Sequence, residues 1–185
     1  MSEMKFKLMS DEVEVPEGIT ASVNNNVVTV KGKKGEVKRE LPSKKIKIKI
    51  QEKNIILEAK DATKKDKTMI GSYKSHIKNM IKGCEEGHTY ELKIASVHFP
   101  MNVNVSNGQL IVKNFLGEKV PRTFKIMQGV NVKIDGDKVI VDGTALENVS
   151  QTAASIEQLT RITKRDNRIF QDGIYITNKD GEKIE

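Results

Sequence analysis

The stretch NVSQTAASIEQLTRITKRDNRIFQDGIYI, residues 148–176, decides the fold of the second half of this 185-residue chain. Apolar or small residues recur in its first half at steps of three and four: Val149, Ala153, Ile156, Leu159 or Thr160, and Ile162. This spacing predicts a helix of about three to four turns with one apolar face. The stretch then turns at Asp172-Gly173 and continues into an apolar run, residues 174–176, which predicts a short strand.

Cations gather at the end of the predicted helix, with only Asp166 among them to balance the charge: Arg161, Lys164, Arg165 and Arg168. Cations are favourable at the C-terminal end of a helix, where the backbone carbonyls are unpaired. Four of them exceed what a helix end needs. The cluster is therefore the first indication of an anionic partner.

The charge of the chain is unevenly distributed. The formal net charge is +7, with residues 1–84 at +8 and residues 85–185 at −1. Four of the five arginines nevertheless lie in the second half. Because the planar guanidinium suits phosphates better than a lysine ammonium does, the second half is the better candidate for holding a polyanion.

An internal repeat with a period of roughly 84 residues organises the chain. Val15-Pro16 and Phe99-Pro100 each precede strands and turns, and the hairpin patterns at residues 45–59 and 130–143 correspond. Each copy ends in an amphipathic helix, the first at about residues 66–82. The predicted fold class is α+β: two tandem similar domains, 1–84 and 85–185, each a mostly antiparallel β-sheet covered by one α-helix. Residues 90–95 are interpreted as a strand that bridges the copies.

Several kinds of site are not supported by the sequence. It has no nucleophile elbow, phosphate-binding loop or dinucleotide fingerprint, so we expect neither an enzyme nor a cofactor or small-molecule substrate. Its histidines are scattered, and Cys84 with His88 lacks third and fourth ligands for a metal. No apolar run is long enough to span a membrane.

Each of three basic segments of the sequence allows two interpretations. Residues 32–35 (GKKG) are either a hairpin turn, which we favour, or the backbone clamp of a KH domain. The alternation of Lys45, Lys47 and Lys49 with isoleucines indicates either a solvated strand face or a contact with RNA or an acidic partner. The cations around residues 113–125 are either ordinary surface charges or one surface with the tail cluster. The aromatic residues are too scattered for a base-stacking platform, so any RNA binding should rest on backbone and shape.

The chain resembles the L-six family of large-subunit ribosomal proteins, called L-nine in eukaryotes, in its eukaryotic and archaeal branch. Five motifs in family order carry the resemblance: residues 79–83 (NMIKG), 98–103 (HFPMNV), 114–119 (NFLGEK), 143–154 (GTALENVSQTAA) and 170–175 (FQDGIY).

The resemblance implies a structural, rRNA-binding constituent of the cytoplasmic ribosome. It implies a position near the factor-binding region, beside the sarcin–ricin loop and the stalk base, with large-subunit rRNA and neighbouring ribosomal proteins as partners. The RNA-binding residues that it implies are Lys113, Lys119, Arg122, Arg161, Lys164, Arg165, Arg168, Gly173 and Tyr175. The alternative from another class is a non-ribosomal protein-interaction adaptor with weak RNA binding.

Overall fold

The computed structural model describes residues 6–42, 45–51, 54–166 and 168–184, with the side chains of residues 6 and 7 left aside. The chain divides into two compact units, Met1–Gly87 and His88–Glu185. Each unit contains one long helix and mostly antiparallel strands, as the repeat predicts. The strands of each unit form two sheets rather than one. In each unit, one of the two sheets consists of three strands that follow one another along the chain.

Unit 1 is described by six strands and a helix: β1 (Phe6–Glu14), β2 (Thr20–Asn24), β3 (Val27–Lys31), β4 (Glu36–Glu40), β5 (Ile46–Gln51), β6 (Asn54–Ala62) and α1 (Lys64–Glu85). The sheets have the orders β1-β6-β5 and β2-β3-β4. β5 and β6 pair as the predicted hairpin, whose two turn residues lie outside the described chain. β5 is an edge strand. Ile46 at its start is buried, whereas Ile50 near its end is exposed.

Helix α1 begins with a reciprocal cap. Thr63 accepts a hydrogen bond from the Asp66 backbone N–H, and the Asp66 carboxylate accepts one from the Thr63 backbone N–H. This arrangement satisfies two backbone donors that would otherwise be unpaired at the start of the helix. The face predicted to be apolar is buried: Ile70, Tyr73, Ile77, Met80 and Ile81. The helix extends beyond the predicted residues 66–82 at both ends.

The GKKG stretch is the turn between β3 and β4, as the hairpin interpretation predicts. Gly32 donates from its backbone N–H to Gly35 O over 2.9 Å. Lys34 donates from its backbone N–H to Cys84 O over 3.0 Å, which satisfies a carbonyl at the end of α1. A Cβ at Gly32 would lie 2.6 Å from that same oxygen. The turn therefore requires glycine because backbone approaches backbone here.

Gly32→Ala is expected to lower the free energy of unfolding by about 2 kcal/mol, because overpacking forces a backbone shift. Gly71→Ala provides the matched control. A Cβ at Gly71, within α1, meets nothing within 4 Å, so helix propensity alone should raise the stability by about 0.5–1 kcal/mol. Urea denaturation of both variants measures the difference. Equal stability changes in the two variants would contradict the close approach.

Unit 2 is described by eight strands and a helix: β7 (His88–Ala95), β8 (Asn102–Ser106), β9 (Gln109–Lys113), β10 (Arg122–Lys125), β11 (Val130–Asp135), β12 (Lys138–Gly143), α2 (Leu146–Leu159), β13 (Gly173–Lys179) and β14 (Glu182–Lys183). The sheets have the orders β11-β12-β7-β13-β14 and β10-β9-β8. β11 and β12 form the predicted hairpin. A single 3₁₀ turn, Phe115–Gly117, lies between β9 and β10.

The interpretation of β7 as a bridge between the copies was wrong. β7 is the central strand of the five-stranded sheet and pairs with β12 on one side and β13 on the other. Its counterpart in unit 1 is β1, which pairs with β6 and opens the first copy. Each copy therefore begins with a strand that the sequence repeat did not include.

Helix α2 packs its predicted face into the core of unit 2. Val149, Ala153 and Ile156 are fully buried in a cluster with residues of β7, β9, β12 and β13. The helix ends at Leu159, and no basic residue lies in its last turn. The expectation that cations stabilise this end through the helix dipole was therefore wrong, since the tail cations follow the helix instead. Among the described residues, no helix is long and apolar enough to cross a membrane.

Candidate nucleic-acid interface

Arg122, at the start of β10, completes the end of helix α2. Its Nη1 donates to Leu159 O over 2.6 Å and lies 3.5 Å from Arg161 O. Its Nε and Nη2 donate to the two carboxylate oxygens of Glu118 over 2.8 and 2.6 Å. The guanidinium also lies over the Phe115 ring, 4.2 Å from its centre. Arg122 thus joins the 113–125 region to the tail, and its donors are engaged within the protein.

A buried carboxylate, Asp172, orders the loop that precedes β8. It accepts hydrogen bonds from the backbone N–H groups of Val97 (2.7 Å) and His98 (2.9 Å). The His98 ring Nδ1 lies 2.6 Å from its other oxygen, and since a carboxylate accepts, Nδ1 carries the proton. Burial alone would raise the pKa of Asp172, but the hydrogen bonds from His98 and Val97 outweigh it, so the pKa lies below its ordinary value.

Three planar groups stack outward from this carboxylate. The His98 and Phe170 rings lie 4.7 Å apart between centres and 30° from parallel. The Arg165 guanidinium lies over the same Phe170 ring at 4.7 Å. Such stacking gives a cation a defined position at modest free-energy gain. Arg165 is therefore held at the surface by a chain of contacts that begins in the protein interior.

Arg168 lies opposite an acid within the same segment. Its guanidinium donates to both carboxylate oxygens of Asp166, over 3.2 and 2.9 Å, while its side chain is 90% exposed. The hydrogen bonds from Arg168 lower the pKa of Asp166. This pair partly neutralises the charge of Arg168, so Arg165 is the better-placed arginine for a phosphate.

Exposed apolar side chains lie among the cations of unit 2. Val120 is 76% and Ile169 64% exposed, and Val97, Phe99 and Tyr175 are also exposed. Large apolar side chains left in water beside a basic cluster are typical of a surface that a partner covers. We call the region formed by residues 97–99, 113–125 and 161–175 the tail surface.

The remaining predicted RNA-binding residues divide between exposed and buried positions. Lys113, Lys119, Arg161 and Lys164 are exposed. Gly173 is buried, and a Cβ there would lie 3.0 Å from the Tyr175 ring, so glycine makes room for that ring. The structure therefore gives Arg122 and Gly173 packing roles, and the other seven residues stay candidates for direct contact.

Sequence reasoning missed the pairing of His98 with Asp172. Both residues belong to motifs that carried the family resemblance, residues 98–103 and 170–175. The sequence offered one signal for this pair: one of these motifs contains a histidine and another contains an aspartate. No chemical role followed from it without the fold, because 74 positions separate the two residues.

The histidines of the two units are engaged in structural contacts rather than in a reactive group. In unit 1, His76 Nε2 lies 3.3 Å from the Arg39 guanidinium, and burial and the nearby Arg39 charge lower its pKa. In unit 2, the buried His88 lies 3.0 Å from Asp180. Within the part of the chain that the structure describes, no group of three or more potential ligands could hold a metal ion.

The predicted lysine ladder of β5 is partly neutralised. Lys49 lies 2.8 Å from the Glu58 carboxylate on the neighbouring strand, and Lys45 lies 3.8 Å from Asp66. The pair of Lys49 and Glu58 is a cross-strand pair of opposite charge, which stabilises a sheet modestly, whereas Asp66 belongs to helix α1. These contacts favour the solvated-face interpretation of the ladder.

Comparison with known proteins decides the family. The family model for ribosomal protein L6 matches this chain twice, at residues 15–87 and 99–173. The chain belongs to the ribosomal protein L6 family. The two matches confirm the internal duplication, with one family repeat in each unit.

Archaeal members of the family are similar along nearly the whole chain. The chain is 48% identical over 177 residues to the large ribosomal subunit protein uL6 of Methanococcus vannielii, covering 96% of this chain and 97% of that protein. Identity is 46% over 170 residues to the uL6 of Methanobrevibacter smithii, covering 92% and 96%. For the uL6 of Methanosarcina mazei it is 44% over 173 residues, covering 94% and 98%. As a member of this ribosomal protein family, the chain is a structural protein and not an enzyme.

Proposed function

We propose that the protein is a structural constituent of the large ribosomal subunit that binds rRNA through the tail surface of unit 2. The match of both units to the ribosomal protein L6 family carries this proposal. The family assigns the protein to the cytoplasmic ribosome, with rRNA and neighbouring ribosomal proteins as its partners. Within the subunit we propose a position near the factor-binding region, beside the sarcin–ricin loop and the stalk base.

The tail surface suits the backbone of folded RNA. Its exposed cations, Lys113, Lys119, Arg161, Lys164 and Arg165, can neutralise phosphates and release their counterions. The hydrogen bonds of Asp172 and the stack on Phe170 fix the position of Arg165 before RNA arrives. A surface ordered in this way loses less conformational entropy on binding. The protein would therefore hold neighbouring rRNA helices in a fixed geometry with little reading of bases.

Arg165→Ala is expected to weaken binding to large-subunit rRNA and to reduce the slope of log affinity against log salt by about 1, which corresponds to one lost phosphate contact. Lys138→Ala is the matched control, because Lys138 is an exposed cation of unit 2 on β12, outside the tail surface. Filter-binding titrations at four salt concentrations give both slopes.

An unchanged slope for Arg165→Ala would remove this residue from the interface. Equal reductions for Arg165→Ala and Lys138→Ala would indicate diffuse attraction rather than a defined site. Failure of the unsubstituted protein to bind rRNA would contradict the function itself. A protein-interaction adaptor, whose partner association resists nuclease, would then take its place.

A further inference from the structure

The outer face of the three-stranded sheet β8-β9-β10 in unit 2 has an unusual composition. Strand pairing places its outward residues in three rows: Asn102 with Lys113; Asn104 with Ile111 and Thr123; Ser106 with Gln109 and Lys125. All are exposed except Ile111, which is half-buried. None of these eight described residues is acidic. The face carries amides, hydroxyls and two lysines.

The repeat supplies an internal comparison for this face. The equivalent sheet of unit 1, β2-β3-β4, has the same topology and the same central positions. There Lys31 lies opposite Glu36, and Val27 lies opposite Glu40. In unit 2 the position equivalent to Glu40 is Lys125, which lies opposite Gln109. Two carboxylates on one copy are therefore absent from the other, and one is replaced by a cation.

Folding alone does not account for this difference. Both faces are outward, and both sheets bury their opposite side through valine and leucine residues such as Val28 and Val30 in unit 1 and Leu110 and Val112 in unit 2. A solvated sheet face is stabilised by neighbouring opposite charges. In unit 1, Glu36 lies 2.9 Å from Lys38 on the same strand and opposite Lys31 on the next strand. The unit 2 face forgoes such pairs and keeps its lysines, which favours a partner that is itself negative.

We propose that this face, residues 102–106, 109–113 and 123–125, contacts the sugar-phosphate backbone of a folded rRNA helix. The inference rests on the proposed ribosomal function. It extends the tail surface, to which Lys113, Thr123 and Lys125 already belong, across strands β9 and β8. Asparagine, glutamine, serine and threonine side chains both donate and accept, so they match the 2′-hydroxyls and phosphate oxygens that line the wide, shallow groove of A-form RNA. Lys113 at the end of the central strand and Lys125 on the edge strand β10 supply charge complementarity.

Asn104 is the most direct probe because it lies at the centre of edge strand β8. Asn104→Glu places a carboxylate in the middle row, where the proposed partner is anionic, and should weaken rRNA affinity about tenfold. The matched control is Ser22→Glu, at the equivalent exposed position of β2 in unit 1, which should change affinity less than about twofold. Lys125→Glu, which introduces the residue type that unit 1 has at this position, should also weaken binding.

Titration of large-subunit rRNA with the full-length variants measures these affinities, after thermal melting has shown each variant folded. Wild-type affinity for both Asn104→Glu and Lys125→Glu would overturn the inference. Equal losses for Asn104→Glu and Ser22→Glu would overturn it too, since the effect would be diffuse. Arg165→Ala, titrated in parallel, separates the two proposals: if it weakens binding and the sheet variants do not, only the sheet face is excluded.

Discussion

Asp172→Ala is expected to lower the free energy of unfolding by about 3 kcal/mol, because it leaves two backbone N–H groups and the His98 ring without their acceptor. The loop at residues 97–99 should lose its fixed position, and Arg165 should lose the ring stack that supports it. The same variant should therefore bind rRNA more weakly, although Asp172 itself is buried and negatively charged. Urea denaturation and rRNA titration measure the two effects.

Asp166→Ala is the control for this prediction. Asp166 is exposed and pairs with Arg168 at the surface, so its loss should leave the melting temperature nearly unchanged. Removing a negative charge there should leave rRNA binding intact or strengthen it. If Asp172→Ala were as stable as Asp166→Ala, the carboxylate would not order the loop.

Lowering the pH should weaken the hydrogen bonds that Asp172 accepts from the loop at residues 97–99. The pKa of Asp172 is lower in the folded protein than its ordinary value, so the folded state binds its proton less readily than the unfolded state does. The stabilisation is therefore fully present above the ordinary pKa of about 3.9 and is lost as the pH falls through the lower folded value.

Arg122→Ala is expected to lower the free energy of unfolding by about 3 kcal/mol. It removes the bidentate pair with Glu118, the donor to Leu159 O and the contact with the Phe115 ring. Because the Arg122 donors are used within the protein, the rRNA affinity of the folded variant should fall less than that of Arg165→Ala. Lys119→Ala is the nearby control, and as an exposed cation it should leave stability unchanged.

Measurements of stability and affinity on the same samples distinguish the two roles of Arg122. A stable Arg122→Ala variant with strongly reduced affinity would return this residue to the group of direct RNA contacts. A destabilised variant with nearly retained affinity would confirm that Arg122 ends helix α2 and joins two parts of the tail surface.

Local sequence patterns predicted the helices and hairpins well. The buried face of α1 and the pairing of β11 with β12 follow from apolar spacing, since both depend on neighbours within one element or one turn. The end of α2 did not follow. Thr160 stops the helix by accepting a hydrogen bond from the β13 backbone N–H of Ile174, and Arg122 takes the last carbonyl. Both partners are distant in sequence.

The roles of the strands that open each copy were missed for another reason, although residues 90–95 were predicted to be a strand. β1 has charged residues along its length, and Leu8 within it is exposed, so its alternation is weak. β7 lies between partners that are far away in sequence, β12 and β13. Only the assembled sheet shows that these strands hold corresponding positions.

The sequence located the candidate site through its charged residues, but it did not show which contacts hold those residues in place. The arginine count indicated the second half of the chain, and the exposed tail cations lie there. Which arginine is free for a phosphate depended on how the folded segments pair neighbouring side chains: Glu118 engages Arg122, Asp166 faces Arg168, and Phe170 supports Arg165. These neighbours are visible in the sequence, but which of them pair is not, and the contact of Arg122 with Leu159 O spans 37 positions.

Sedimentation through a high-salt sucrose gradient, with and without ribonuclease, tests the central claim most directly. Tagged protein from cell lysate should migrate with the large subunit in high salt and leave that position after nuclease treatment. Migration at the top of the gradient, unaffected by nuclease, would contradict an rRNA-bound role in the subunit.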